Sequence, residues 1–372
     1  MPTLQTMQVG IIGCGNISGI YLERSKIFSC LKVVACADLD MEKAKARASE
    51  YGIERACAVD DILSDKSIDI ILNLTVPKAH AGVALMALKS GKHVYNEKPL
   101  TLKREDAKEM LALAKKKGLR IGCAPDTFLG AGIQTCKKVI DDGLIGKPIG
   151  ATAFMLCHGH ERWHPSPEFY YEEGGGPMFD MGPYYLTALV AMMGPIRRVT
   201  SSAGISFPER TITSEPKKGK KITVETPTHI AGVMDFMNGA IGTILTSFDV
   251  WAAQHYQPPI EIYGTEGTLI VPDPNGFSGP VSVKRAGEKE WQEIPLVKGF
   301  SENTRSLGLA DMALGIADNS PHRASGDLAY HVLDAMQGFL EASKSGKHII
   351  LKSTCPMPAR LPETFQGDVC IS

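Results

Sequence analysis

Residues 8–18 read QVGIIGCGNIS. A short apolar run from Gln8 to Ile12 ends in a glycine loop, and an amphipathic segment follows to about Phe28. Strand, glycine loop and helix in that order form the opening of a dinucleotide-binding unit. Gly13 permits the tight turn. Gly15 lets backbone approach a pyrophosphate at the helix N-terminus, where Asn16 and Ile17 carry amides with no partner inside the helix. Ser18 stands at the third glycine position, with Gly19 beside it; serine is small enough for close helix–strand packing.

The pattern continues outward from this loop. Lys32–Ala37 (KVVACA) is a second apolar run, followed by the helical MEKAKARASEYG. Ile68–Leu72 is another, with a helical stretch from about Lys78 to Ser90 that stops at Gly91. His93–Tyr95, the helix REDAKEMLALAKKKG and the run RIGCA complete the series. Short continuous apolar runs alternating with helices predict a parallel sheet covered on both faces. The second run ends at Asp38, near the roughly 20-residue spacing at which an acid meets the ribose of a dinucleotide. A carboxylate there accepts from a 2′-hydroxyl and repels a 2′-phosphate, so NAD is preferred over NADP. Asp40 suits the cap of the following helix better than Asp38 does.

From Gly150 the period changes. Ala151–Leu156, Arg198–Ala203, His229–Phe236, Ala240–Phe248, Ile260–Tyr263 and Thr268–Val271 read as strands, several joined by glycine turns. Segment 205–228 and the PDPNGFSGP stretch read as loops or edge insertions. The expected fold class is α/β. An N-terminal Rossmann domain with a doubly wound parallel sheet spans residues 1–124. A C-terminal α+β domain with a large, mainly antiparallel sheet spans 125–372 and serves substrate binding and oligomerisation.

Composition narrows the function. The 372 residues carry 40 Lys and Arg against 41 Asp and Glu. This balance gives no electrostatic footprint for nucleic acid or an anionic membrane. The one basic cluster, Lys217, Lys218, Lys220 and Lys221 around Gly219, reads as a solvated loop tip. The 9 cysteines form no CxxC pair, which predicts reduced thiols packed as small hydrophobes in the cytoplasm. MPTLQTMQVG has the character of no signal peptide, and no apolar stretch approaches the roughly 20 residues that span a bilayer.

Two turns sit where ligands bind, outside the carboxyl ends of strands. NLTVPKAH (73–80) brings Thr75, Pro77 and His80; HVYNEKPL (93–100) brings Glu97 and Lys98. Proline keeps the preceding lysine out of helical geometry, and an X-Pro bond can also be cis, so Lys98 is aimed at a particular place. GCGNIS, TVPKAH and above all Glu97-Lys98-Pro99 resemble the glucose–fructose oxidoreductase/inositol dehydrogenase (Gfo/Idh/MocA) family. The likeness extends through DGLIGKP (142–148) and the β-rich remainder. It implies that Lys98 contacts both the nicotinamide ribose and the substrate oxygen. Gly13, Gly15, Asn16, Ile17, Asp38, Thr75, Pro77, His80, Glu97 and Lys98 are then the cofactor-binding residues.

The family's second motif, GGGxxxDxGxxH, falls on Gly174-Gly175-Gly176, Asp180 and Gly182, with Tyr184 at the histidine position. The glycines are read as letting main chain pass close to a ligand. Asp180 and Tyr184, four apart, are read as sharing a face where the helix YYLTALVAMM begins. A free phenol titrates near ~10, and a neighbouring lysine ammonium lowers that value. Tyr184 is therefore one candidate proton carrier. The other is His164, in CHGHERWHPSPEFYY (157–171). His158, His160 and His164 lack a further ligand set with settled spacing, so no metal is expected. Trp163 offers an indole face to a sugar ring, and Asp126, just after the sixth strand, is a further candidate substrate contact. His331 is read as a satisfied core histidine.

The resemblance implies an NAD-dependent oxidoreductase moving a hydride between nicotinamide and a hydroxyl-bearing carbon of a sugar, polyol or cyclitol. Lys98 polarises the oxygen, Asp180 orients the reacting group, and Tyr184 or His164 carries the proton. Two rivals share the fold: an NAD-dependent enzyme that cleaves glycosides through transient oxidation, and a non-catalytic NAD-binding sensor. The resemblance also implies a homodimer or homotetramer.

Overall fold

The computed structural model describes residues 6–253, 259–362 and 365. The chain forms two compact units. The first comprises Met1–Gly130, Lys298–Leu333 and Pro358–Ser372; the second comprises Ala131–Val297 and Asp334–Met357. A single cut after residue 124 is thus corrected, because later chain returns to the first unit. The reason lies at a sheet edge. Cys123 donates its amide to the Ala324 carbonyl (3.0 Å), and Gly122 bridges to Ser325, which covers backbone groups an edge strand leaves unpaired.

In the first unit β1 (Met7–Ile12), β2 (Leu31–Ala37), β3 (Arg55–Ala56), β4 (Ile70–Asn73), β5 (His93–Asn96) and β6 (Ile121–Cys123) lie in the order β3-β2-β1-β4-β5-β6. All five pairings are parallel. The order reverses direction at β1, and the crevice there is where such sheets take ligands. Val9, Ile11, Ile70, Ile71 and Leu72 are wholly buried, as apolar runs between two helical layers must be. Helices α1 (Ser18–Ser25), α2 (Met41–Tyr51), α3 (Val59–Ser64), α4 (His80–Lys89) and α5 (Arg104–Lys117) connect the strands. Asp40 caps α2 by accepting from the Glu42 amide at 3.1 Å, and Gly52 ends that helix in the left-handed region (φ 71°). β3 and α3 are too short to register as periodic segments in the sequence.

The second unit holds α6 (Ala131–Asp141), β7 (Pro148–Leu156), α7 (Gly176–Asp180) and α8 (Gly182–Met193). Strands β8 (Ile196–Gly204), β9 (Glu209–Thr211), β10 (Lys221–Thr223), β11 (His229–Phe236) and β12 (Ile241–Ser247) follow. The remainder are β13 (Ile260–Gly264), β14 (Gly267–Val271), β15 (Ser282–Arg285), β16 (Gln292–Glu293) and β17 (Ile349–Ile350). Nine strands form one sheet in the order β16-β15-β14-β13-β7-β12-β11-β8-β17. Its neighbours are antiparallel apart from β7 and β12. β9 and β10 pair as a separate hairpin inside segment 205–228, which the sequence reading treats as loop. Every residue of α8 is buried, and Pro183 stands in its first turn as expected.

Among the described residues no helix is long and apolar enough to cross a membrane. The 8 described cysteines are thiols; Cys370 lies outside the described residues. His331 is buried within the helix Gly326–Ser345.

Candidate active site

The glycine loop of the first unit is shaped by backbone crowding on one side and open space on the other. Gly13 has φ 104°, and a Cβ there would lie 2.6 Å from the Leu74 carbonyl carbon, so no other residue fits. A Cβ at Gly15 would meet nothing within 4 Å. That open rim, with the exposed Asn16 beside it and no side-chain cap on α1, fits the pyrophosphate of a dinucleotide. Ser18 is buried at the third glycine position because its hydroxyl donates to the Gly15 carbonyl at 2.7 Å. Gly19 takes the closest helix approach: its Cβ would meet the Tyr51 hydroxyl at 2.8 Å. Asp38 receives the Cys14 amide on one oxygen (2.8 Å) and the Asp40 amide on the other (2.9 Å). A carboxylate has about four acceptor positions, so two remain for ribose hydroxyls. Arg47 on α2 reaches the Gly15 carbonyl at 3.4 Å.

The strand ends are tied by buried polar groups. Thr75 donates to the Asn73 side chain (2.7 Å), and Asn73 donates to Asn96 (3.0 Å). His80 is wholly buried, with Nδ1 2.7 Å from the Pro99 carbonyl and Nε2 3.0 Å from the Thr75 carbonyl. Burial pushes its pKa down while those carbonyls pull it up. Glu97, also buried, accepts from the Tyr21 hydroxyl at 2.7 Å and from the Lys98 amide at 2.8 Å. His80 and Glu97 therefore brace the two turns that carry Thr75 and Lys98: both ring nitrogens of His80 and two acceptor positions of Glu97 are used there. Lys98 itself is half-buried at the end of β5, and the Lys98–Pro99 peptide is cis.

Asp126 is buried too. It is 1 % exposed, and its carboxylate accepts from the Gly308 amide at 3.0 Å. Burial raises its pKa to about 6. Its carboxylate is held within the first unit by the Gly308 amide.

In the second unit the histidines part company. His158 stacks on Trp251, ring centroids 3.3 Å apart. His164 accepts from the Ser166 amide at 3.0 Å, and its pKa is lowered, chiefly by burial. His160 is the one that meets Asp180: Nε2 lies 2.9 Å from Oδ2. Among the described residues no group of three or more His, Cys, Asp or Glu could hold a metal ion. Tyr184, in contrast, is 6 % exposed within the buried α8. A helix break at Met181 separates it from Asp180, so the two do not share one helical face. The imidazole beside the motif aspartate thus comes from the segment after β7, a residue the sequence reading passed over in favour of His164. Its only sequence signal is the HGH alternation.

Two of the glycines before Asp180 are also required by the chain itself. A Cβ on Gly175 would lie 2.5 Å from the Phe169 carbonyl oxygen, and one on Gly176 2.7 Å from that of Pro227. They let main chain pass close to main chain, which sets where α7 starts and where Asp180 ends.

A buried ionic network holds the His160 segment. Arg210, from β9, donates to Glu161 (2.9 Å), to the Phe248 carbonyl (2.8 Å) and to Asp249. Glu161 also accepts from the Tyr171 hydroxyl, whose oxygen receives the His160 amide at 3.3 Å. Ser214 donates to the His164 carbonyl (2.6 Å), and the Thr213 amide to that of Glu161 (2.9 Å). The 205–228 insertion is therefore the clamp on the segment bearing the histidines. Beside it lies a cleft of about 450 Å³ lined by Cys157, His158, Gly159, His160, Arg162 and Trp163.

A parallel sheet in this strand order, with an open glycine loop after β1 and an acid at the end of β2, is the architecture of a Rossmann dinucleotide-binding unit. The chain belongs to the Gfo/Idh/MocA family: its oxidoreductase NAD-binding Rossmann profile matches residues 7–124, and its C-terminal domain profile matches residues 133–270. The chain is 27% identical over 269 residues to 1,5-anhydro-D-fructose reductase of Ensifer adhaerens, covering 70% of this chain and 74% of that one. It is 25% identical over 266 residues to myo-inositol 2-dehydrogenase of Thermotoga maritima (71% and 75%). Among solved structures, an NAD-binding oxidoreductase from Klebsiella pneumoniae matches with TM-score 0.82 at 20% identity, over 93% of this chain and 99% of that one. Levoglucosan dehydrogenase in complex with NADH and levoglucosan matches with TM-score 0.78 at 20% identity, over 94% and 100%.

Proposed function

We propose that this chain is an NAD-dependent dehydrogenase of a sugar or cyclitol hydroxyl, with His160 as proton carrier. The observation that carries the assignment is the 2.9 Å bond from His160 Nε2 to Asp180 Oδ2, in a motif whose own histidine position is tyrosine. Asp180 accepts the Nε2 proton, so the neutral ring keeps its lone pair on Nδ1, the nitrogen left to take a proton. As the carbinol C–H bond breaks, the O–H proton passes to His160 and the C–O bond becomes a carbonyl. The Lys98 ammonium steadies the negative charge that builds on that oxygen. NAD⁺, when bound, supplies the hydride acceptor. Glu97 and His80 keep the Lys98 and Thr75 turns in place. Names of relatives support a polyhydroxylated substrate: a 1,5-anhydrofructose, an inositol and, for a third, D-xylose.

Asp38 supports NAD over NADP. The thiols support a reducing compartment, the cytoplasm, and we read the chain as a homo-oligomer. Val233 and Ile241 are exposed on one face of the nine-stranded sheet, because Val233 is opposite Thr243 and Asp235 opposite Ile241.

The test is NADH appearance with purified protein, NAD⁺ and a panel of aldoses, cyclitols and anhydrosugars, with Lys98→Ala and His160→Ala beside it. Sustained turnover lost in both variants is expected. Turnover indifferent to His160 would overturn the proton assignment, and no turnover across the panel would overturn the substrate class.

A further inference from the structure

We propose that the cleft beside His160 is a subsite for a second sugar ring, so that the preferred substrate is a glycoside. The inference rests on the dehydrogenase reading above and deepens it. Among the described residues the exposed large aromatics are Trp163, Phe169, Phe207, Trp251 and Trp291. Four of these five touch the histidines of one short segment. Phe207 sits edge-on to His158 (5.7 Å), Trp251 stacks on His158, Trp163 sits edge-on to His160 (5.2 Å) and Phe169 edge-on to His164 (5.4 Å). Trp163 is 62 % and Trp251 73 % exposed. Exposed apolar side chains are ordinarily scattered singly; gathered on one short segment that also lines a cleft, they mark a binding surface.

The chemistry of the lining selects the occupant. A pyranose has apolar C–H faces and a rim of hydroxyls. Indole faces stack on the former, while imidazole and guanidinium bond the latter. His158 and Arg162 provide those groups within the cleft, and the Arg162 guanidinium also lies 5.9 Å from the Trp251 ring. The oxidised ring is served by His160, Asp180 and Trp163. Trp251, Phe207, His158 and Arg162 have no part in that chemistry, yet they extend the same polar and aromatic surface. A volume of about 450 Å³ is in the range of whole small-molecule sites, and an extended substrate accounts for it.

The experiment compares D-glucose, D-galactose and D-xylose with their methyl glycosides and with cellobiose, lactose and xylobiose, in wild type, Trp251→Ala and Trp251→Phe. The expected result is a kcat/KM at least ten-fold higher for a disaccharide than for its monosaccharide and methyl glycoside. Trp251→Ala should erase that preference through KM, and Trp251→Phe should restore most of it. Turnover of monosaccharides with no such preference overturns the subsite and leaves the dehydrogenase reading intact. If no sugar is oxidised, that reading fails, and the subsite is judged by calorimetric titration of the same disaccharides. Binding abolished in Trp251→Ala then supports it, and absence of binding overturns it. Dissociation of an oligomer in Trp251→Ala would also overturn it, by assigning the aromatics to a second copy of the chain.

Discussion

His160 Nε2 lies 2.9 Å from Asp180 Oδ2, while the motif position four residues after Asp180 is held by Tyr184, 6 % exposed in a helix buried along its length. The two residues of the pair come from different elements, the segment after β7 and the end of α7. The aspartate therefore keeps an imidazole although the motif histidine is gone.

From this pairing, His160→Ala should lower kcat by between about 100-fold and 10,000-fold, the usual range for removing a general base. Tyr184→Phe keeps the buried ring and, with His160 carrying the proton, should stay within a few-fold of wild type. His164→Ala should do the same. Steady-state kinetics on one oxidised sugar checks all three. A large loss in Tyr184→Phe with a small one in His160→Ala would return the proton to the phenol.

The regular elements were legible in the sequence because each has a cause confined to a few residues. Apolar runs such as residues 70–72 need cover on both faces, Asp40 and Gly52 punctuate α2, and Gly13 needs its positive φ. The site was less legible because its causes are distant. His160 meets Asp180 across an irregular segment with no periodicity to read. Arg210 reaches that segment from an insertion whose strands span three residues each. The bracing role of Glu97 depends on Tyr21, far earlier in the chain, whose hydroxyl bonds one of its oxygens. The three glycines advertise close approach, but the sequence cannot say that Gly175 and Gly176 are approached by the carbonyls of Phe169 and Pro227.

Arg210 and Glu161 are 5 % and 4 % exposed, so their charges depend on each other and on Asp249. Arg210→Met leaves two carboxylates buried without their cation and should cost about 3–5 kcal/mol. Adding Glu161→Gln and Asp249→Asn removes the stranded charge and should recover at least half of that. Urea unfolding of the single and triple variants measures both. Equal losses in the two would mean that packing of the guanidinium, and not its charge, holds the segment.

Asp126 gives a pH signature of opposite sign to that of most carboxylates. Its pKa rises from the usual 3.8 to about 6 on folding, chiefly through burial. The folded state therefore holds the proton more tightly than the unfolded chain. Its contribution to stability is complete below about pH 4, declines as pH rises and is lost above about pH 6. Two pKa units correspond to about 3 kcal/mol. Asp126→Asn keeps an acceptor for the Gly308 amide without the charge. Relative to wild type it should gain stability across that interval and hold the gain at pH 7. Melting temperatures of both proteins from pH 4 to 8 test this; parallel curves would mean that the carboxylate is not desolvated.

The last prediction concerns cofactor choice. Asp38 braces the glycine loop through the Cys14 amide, and on the proposed reading its charge repels a 2′-phosphate. Arg47, at 3.4 Å from the Gly15 carbonyl, is the nearby cation that such a phosphate could use. Wild type should prefer NAD⁺, with kcat/KM for NADP⁺ at least ten-fold lower. Asp38→Asn removes the repulsion but keeps one acceptor oxygen for the loop, so it should shift the ratio toward NADP⁺ by ten-fold or more. Asp38→Ala also loses the brace and should raise KM for both cofactors. Adding Arg47→Ala to Asp38→Asn should reverse the shift toward NADP⁺, since it removes the cation that the phosphate could use. Wild-type preference for NADP⁺ would show that Arg47 outweighs Asp38 from the start.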